Sequence, residues 1–136
     1  MQPSQLKVMI VHEQSDKVEQ LWRGCQRDFQ TFKAESVQTA QEIWERVGEM
    51  AVIICAQTIP SMKGSEFCRL AAERYPDTRR IVLVGYREVE ALVEAVNGGY
   101  IFKYITLPWN PEDVLAVVQQ AAETYRSLKN ENKQFL

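Results

Sequence analysis

Val52-Ile53-Ile54-Cys55-Ala56-Gln57-Thr58-Ile59-Pro60-Ser61-Met62-Lys63-Gly64 is the stretch that decides the fold. Its first four residues are apolar without a break, and a half-exposed strand would alternate instead, so they read as a strand covered on both faces. A loop containing Pro60 follows. Gly64 then opens a pattern of helical period with Phe67, Leu70, Ala71 and Tyr75 on one side. Strand, loop and helix in that order are one crossover unit of a parallel sheet.

The same alternation runs outward in both directions. Val8-Met9-Ile10-Val11 and Ile81-Val82-Leu83-Val84 are also continuous and read as interior strands. Thr31-Phe32-Lys33-Ala34 and Ile101-Phe102-Lys103-Tyr104-Ile105 each carry a lysine that a doubly covered strand would bury at high cost, so both belong at sheet edges. Ser15 caps a first helix through Val18, Leu21, Trp22 and Cys25, and Ser36 or Thr39 caps a second through Ala40, Ile43, Trp44 and Val47. Val89, Leu92, Val93 and Val96 form a fourth helix closed by Asn97-Gly98-Gly99, the chemistry of a left-handed stop. Pro111 starts a fifth at its first-turn position. The expectation is a flavodoxin-like, doubly wound α/β domain: five parallel strands in the order 2-1-3-4-5, with helices on both faces.

At 136 residues the chain has the length of one domain. A chain of this size buries roughly 65–70% of its unfolded surface, enough for a full core without a staple. A formal charge of -2, with both signs interspersed, leaves no electrostatic footprint for nucleic acid or an anionic membrane. Arg79-Arg80 is the one tight basic pair and reads as a solvated turn ahead of a strand. The apolar runs are far short of a membrane span and Met1 to Leu6 lacks the layout of a signal peptide, which points to a cytoplasmic protein. Cys25, Cys55 and Cys68 are odd in number and lack the short paired spacings of a zinc site, so they read as small hydrophobes. No metal and no cofactor is expected.

The working crevice of an open parallel sheet lies beyond the carboxyl ends of its strands. Those ends are His12-Glu13-Gln14, Ala56-Gln57-Thr58, Val84-Gly85 and Thr106-Leu107-Pro108. With Pro60, Gly64, Gly85-Tyr86, Glu90-Ala91 through Gly99, and Leu107-Pro108-Trp109-Asn110-Pro111 in register, Lys7 to Tyr125 resembles the receiver domains of bacterial response regulators. The resemblance implies that the two magnesium-holding acids fall on His12 and Glu13, and the phosphoacceptor on Ala56. It places the phosphoryl-contacting hydroxyl on Val84, the salt-bridging lysine on Leu107 and the switch aromatic on Tyr104. It also implies a cis bond between Leu107 and Pro108.

Only Glu13 keeps suitable chemistry. Phosphoryl transfer of this kind needs a carboxylate nucleophile, a hard cation in oxygen ligands, and donors for the phosphoryl oxygens. Ala56 offers no nucleophile, and Val84 and Leu107 offer no donor; the simplest role for these last two is to extend the core into the emptied pocket. His12 could titrate or ligate, but a lone histidine at a strand end is usually structural. Tyr104 is equally a switch residue or an amphipathic contact on an edge strand.

Val114, Val118, Ala121, Tyr125, Leu128, Asn132 and Phe135 continue the last helix with spacings of four and three, a coiled-coil seam whose later members lack a partner within the domain. The domain is therefore expected over 1–125, with 126–136 extending the helix as a connector; the alternative is a frayed polar tail, since Lys129 to Gln134 is strongly hydrophilic and about one heptad lies beyond the body. The expected function is non-enzymatic: a pseudo-receiver that cannot be phosphorylated, acting as an interaction module in two-component signalling. Its expected partners are another protein or a fused output domain, and self-association would use helix 4, strand 5 and helix 5, prolonged by Tyr125, Leu128, Asn132 and Phe135. Two rivals stand beside this: residual phosphotransfer through an atypical acceptor such as His12 or Glu13, and a small-ligand or redox sensor using the crevice or Cys55.

Overall fold

The computed structural model describes residues 5–134. Five strands, β1 (Lys7–Val11), β2 (Gln30–Ala34), β3 (Val52–Ala56), β4 (Arg79–Val84) and β5 (Lys103–Thr106), pair in parallel in the order β2-β1-β3-β4-β5. Around them lie α1 (Asp16–Gln26), α2 (Val37–Val47), α3 (Gly64–Arg74), a 3-10 run over Tyr86–Leu92 leading into α4 (Val93–Asn97), and α5 (Pro111–Gln134). This is the doubly wound order expected, with its reversal between β1 and β3.

The register explains the continuous apolar strands. Val8 and Ile10 of β1 join Val52, Ile54, Ile81 and Leu83 in a core closed by Val18 and Leu21 of α1 and Val114, Val118 and Ala121 of α5. Met9, Val11, Ile53 and Cys55 face the other way, onto Ala40, Ile43 and Trp44 of α2 and Phe67 and Ala71 of α3. Trp44 stacks on Phe67 with ring centroids 5.4 Å apart. Each such side chain contributes about 1.5–3 kcal/mol by leaving water, so a polar residue on either face of β1 or β3 would be costly.

Helix ends follow local chemistry. Ser15 accepts from the Val18 amide and Ser36 from the Thr39 amide, so Ser36 rather than Thr39 is the second cap. Asn110 accepts the Glu112 amide through Oδ1 ahead of Pro111. At the β2 edge Lys33 stays half-buried because its ammonium pairs with Glu19 at 3.2 Å and lies 4.7 Å over the Trp22 ring.

Three expectations need correction. The fourth helix is a 3-10 run followed by a short α-helix: Leu92 is buried, whereas Val93 and Val96 face solvent; the left-handed stop itself is present, at Gly99 (φ 81°). In α3 it is Cys68 that turns inward, while Leu70 sits at the surface. Arg80 is not a solvated turn residue but is 3% exposed. Its guanidinium donates to the carbonyls of Thr78 (2.6 Å), Tyr100 (2.7 Å), Gly99 (3.2 Å) and Tyr75 (3.3 Å). A buried cation is tolerated here because polar acceptors surround it.

Candidate functional site

β3 ends at Ala56, which is 7% exposed at the carboxyl edge of the sheet. Gly64 explains how α3 approaches so closely: a Cβ there would stand 2.3 Å from the Ala56 carbonyl oxygen, so any larger residue would push the helix away. The connecting loop is tied down by Gln57. Its Oε1 accepts the Ser65 amide at 2.8 Å, its Nε2 donates to the Ser65 hydroxyl at 3.1 Å, and its own carbonyl accepts from the Gly64 amide. Gln57 thereby caps α3, whose preceding residue Lys63 makes no side-chain cap. Between Gln57 and α3, Ile59 pairs with Met62 across Pro60-Ser61, and Ser61 has φ 77°. Proline followed by a left-handed residue is the sequence of a type II turn.

On β1, the His12 amide extends the ladder to the Ala34 carbonyl, and its Nδ1 lies 2.8 Å from the Glu13 carbonyl. A carbonyl oxygen only accepts, so Nδ1 carries the proton there. The ring meets Trp109 edge-on at 6.1 Å. Glu13 is exposed. Lys17, from the first turn of α1, crosses to the same tryptophan: its ammonium donates to the Trp109 carbonyl at 3.0 Å and lies 5.8 Å from the ring centroid. Trp109, 5% exposed, is thus held from α1 and lies against the strand end that carries His12.

The structure brings His12, Glu13, Ala56, Val84 and Leu107 to one end of the sheet. As a magnesium site they do not fit: one exposed carboxylate stands beside an imidazole already bonded to a backbone carbonyl, and the β3 terminus offers a methyl group. Among the described residues no three potential metal ligands cluster. Val84 is fully buried with Cys68, Val82, Leu92 and Ile101, so it does extend the core. Leu107 does not; its side chain is 49% exposed at the end of the edge strand, although its amide still bonds to the Val84 carbonyl. The Leu107–Pro108 bond is cis.

Tyr104 is 40% exposed and points outward, lining a shallow apolar groove with Val89, Leu92, Val93 and Val96. Tyr86 at 81% adds a second exposed aromatic, which lines a neighbouring groove with Tyr104. The three thiols are free and buried. Burial pushes Cys25 and Cys68 up to about 12 and Cys55 well above the ordinary thiol range, so all three remain protonated and unreactive at neutral pH.

The end of α5 departs from expectation. Tyr125, read as the first unpartnered seam residue, is buried against its own domain, and its hydroxyl donates to Glu49 Oε1 at 2.6 Å. Leu128 is half-buried. The Asn132 side chain and Phe135 lie outside the described residues. Sequence reading missed Gln57, Lys17 and Arg80 because their partners are main-chain groups or small side chains that no spacing reveals. Lys17, one turn into a helix that begins beside the crevice, carried the only positional hint.

The family model for the response regulator receiver domain matches residues 8–119. The chain belongs to the response regulator receiver domain family, and is a receiver domain of two-component signalling. Over 123 residues it is 32% identical to the hydrogenase transcriptional regulatory protein HoxA of Cupriavidus necator, covering 90% of this chain and 25% of that protein. HoxA of Bradyrhizobium diazoefficiens is 30% identical over the same length. The chain thus spans about a quarter of the curated relatives it matches. Among solved structures, the adenylate cyclase of Rhodopirellula baltica superposes with a TM-score of 0.89 at 21% identity, covering 96% of this chain and 97% of that one. The signal receiver domain of an HD domain-containing protein from Pseudomonas fluorescens gives 0.83 at 23%, covering 96% of each. At these identities the likeness establishes the fold alone.

Proposed function

We propose that this receiver is a pseudo-receiver: a regulatory module that takes no phosphoryl group and works by protein contact. The observation that carries this is Ala56, a methyl side chain at the end of β3 where the family's acceptor acid belongs, with Gly64 packed onto its carbonyl. Val84 in place of the hydroxyl and Leu107 in place of the lysine remove the groups that would bind phosphoryl oxygens. His12 and Glu13 are the remaining polar side chains of the carried-over set, and neither lies in a cluster of metal ligands. The test is incubation with acetyl phosphate and magnesium followed by intact mass. An unmodified mass is expected; a stoichiometric, acid-labile adduct overturns the reading and returns His12 or Glu13 as acceptors. The redox reading draws no support from thiols held protonated by burial.

The contact surface in this reading is α4, β5 and the adjoining part of α5, in the cytoplasm. Val93, Val96, Tyr86, Tyr104 and Leu107 expose apolar surface there, more than solvation of a short helix requires. The partner is a second receiver, another signalling protein or an output domain. Since the matched relatives carry the name of transcriptional regulatory proteins, that output is control of transcription. Replacing Val93 and Tyr104 with Glu is expected to shift any dimer to monomer in sedimentation while leaving circular dichroism unchanged. A monomer at all concentrations removes self-association and leaves the hetero-partner.

A further inference from the structure

The helix α5 runs on to Gln134, well past the residues that pack on the sheet, and its later turns make polar contacts with the body of the domain. Tyr125 and Lys129 are one turn apart on one face. Glu49 Oε1, in the loop before β3, receives both the Tyr125 hydroxyl at 2.6 Å and the Lys129 ammonium at 2.9 Å. The same ammonium reaches Asp77 Oδ2 at 3.1 Å, in the loop before β4, and lies 5.4 Å from the Tyr125 ring centroid. Two loops from successive crossover units are thereby joined to two successive turns of one helix.

We propose that Glu49, Asp77, Tyr125 and Lys129 form a latch that fixes the angle at which α5 leaves the domain, so that whatever is joined to or docked on its end is presented in one orientation. A single exposed ion pair would not do this, since pairs of that kind contribute about 0–1 kcal/mol and hold no fixed geometry. Here the acceptor atom is shared, the tyrosine is buried and has only two side-chain torsions, and the two carboxylates approach from separate loops. These constraints leave the helix neither free to swing toward β4 nor free to roll about its axis. The carboxylates hold the Lys129 ammonium above its ordinary range, Glu49 first through its hydrogen bond, so the latch is closed throughout neutral pH. The latch does not depend on whether the crevice accepts phosphate.

The test is a distance distribution between spin labels on cysteines introduced at Gln30 and Glu131, both exposed, by pulsed electron resonance on labelled protein diluted with unlabelled protein. The three native thiols are buried and protonated, so they stay unlabelled. A single narrow distribution is expected for the otherwise unaltered chain. Glu49→Gln with Lys129→Met is expected to broaden it about twofold or more, as expected where a helix end opens locally while the body stays folded; Lys129→Arg should keep it narrow. Lys129→Met alone, a surface change that leaves the Tyr125 bond intact, should broaden it partly and keeps the test valid should the double variant fail to fold. An equally narrow distribution in both Lys129→Met variants overturns the latch, as does a broad one in the unaltered chain.

Discussion

The two ends of the sheet have been treated oppositely. At the carboxyl end, the side chains of Ala56, Val84 and Leu107 carry no polar atom, and the side-chain bonds from Gln57 to Ser65 and from Lys17 to Trp109 tie neighbouring segments together. At the amino end, buried polar contacts are concentrated. Arg80 holds four carbonyls, the Thr78 hydroxyl donates to the Met50 carbonyl at 2.5 Å, and Tyr125 reaches Glu49. Main-chain groups that the turns leave over are satisfied at both ends, by Ser15, Ser36, Gln57 and Asn110 at the helix starts beside the crevice and by the more deeply buried Arg80 and Thr78 at the end away from it.

If that contrast is right, the largest single loss of stability should come from Arg80. Arg80→Met keeps the aliphatic stem but strips the donors from Thr78, Tyr75, Gly99 and Tyr100, leaving acceptors in a site that water reaches poorly. Breaking a buried network of this kind costs roughly 2–4 kcal/mol. Urea denaturation should show the midpoint falling with little change in slope. Ala56→Asp, at the opposite end, adds a carboxylate at a position only 7% exposed but leaves every existing hydrogen bond in place, and should cost less. Equal losses at the two ends would dissolve the comparison.

A smaller effect separates the ends by pH. The Tyr125 hydroxyl is held protonated first by burial and then by its bond to the Glu49 carboxylate, which raises its ionisation above that of a free tyrosine. A raised folded value means the native state binds the proton more tightly, so the stabilisation is complete below about pH 10, the unfolded value, and fades as pH climbs through the folded one. Lys129, also raised, loses its charge in the same direction. Ultraviolet titration should therefore show one of the five tyrosines ionising after the others. Tyr125→Phe should abolish that late step and cost about 1–2 kcal/mol at neutral pH. A titration in which all tyrosines ionise together would mean that the bond to Glu49 is not maintained in solution.

How much of this was legible in the sequence divides along the same line. The strands and their order could be read because they are written in runs of apolar residues, and the ends that meet at the crevice followed from a register fixed by Pro60, Gly64 and Pro108. The amino end was misread. Arg79-Arg80 looks like a solvated pair because nothing in a sequence marks a backbone carbonyl as an acceptor, and Tyr125 looked unpartnered because Glu49 lies 76 residues away. Val93 and Val96 fit a helical stripe, but the stripe presumed a full helix where the chain makes a 3-10 run first. Leu107 was placed inside because the crevice was pictured as needing a filler, but it stands exposed at the end of the edge strand.

The smallest effect sharpens the comparison from the carboxyl end. Ser61 sits at φ 77°, the left-handed region where a Cβ crowds the backbone, in a loop whose other residues are well held by Gln57 and the Ile59–Met62 pairing. A non-glycine residue there costs about 1–2 kcal/mol. Glycine removes that strain but enlarges the freedom of the unfolded chain, which offsets a good part of the gain. Ser61→Gly should then raise stability by about 0.5–1 kcal/mol, a small shift upward in the thermal midpoint. That gain would show a loop kept in a strained turn beside the crevice at a measurable cost to stability. An unchanged or lowered midpoint would mean that the serine makes up the difference through its own hydroxyl, and that the emptied end is held more firmly than its apolar residues imply.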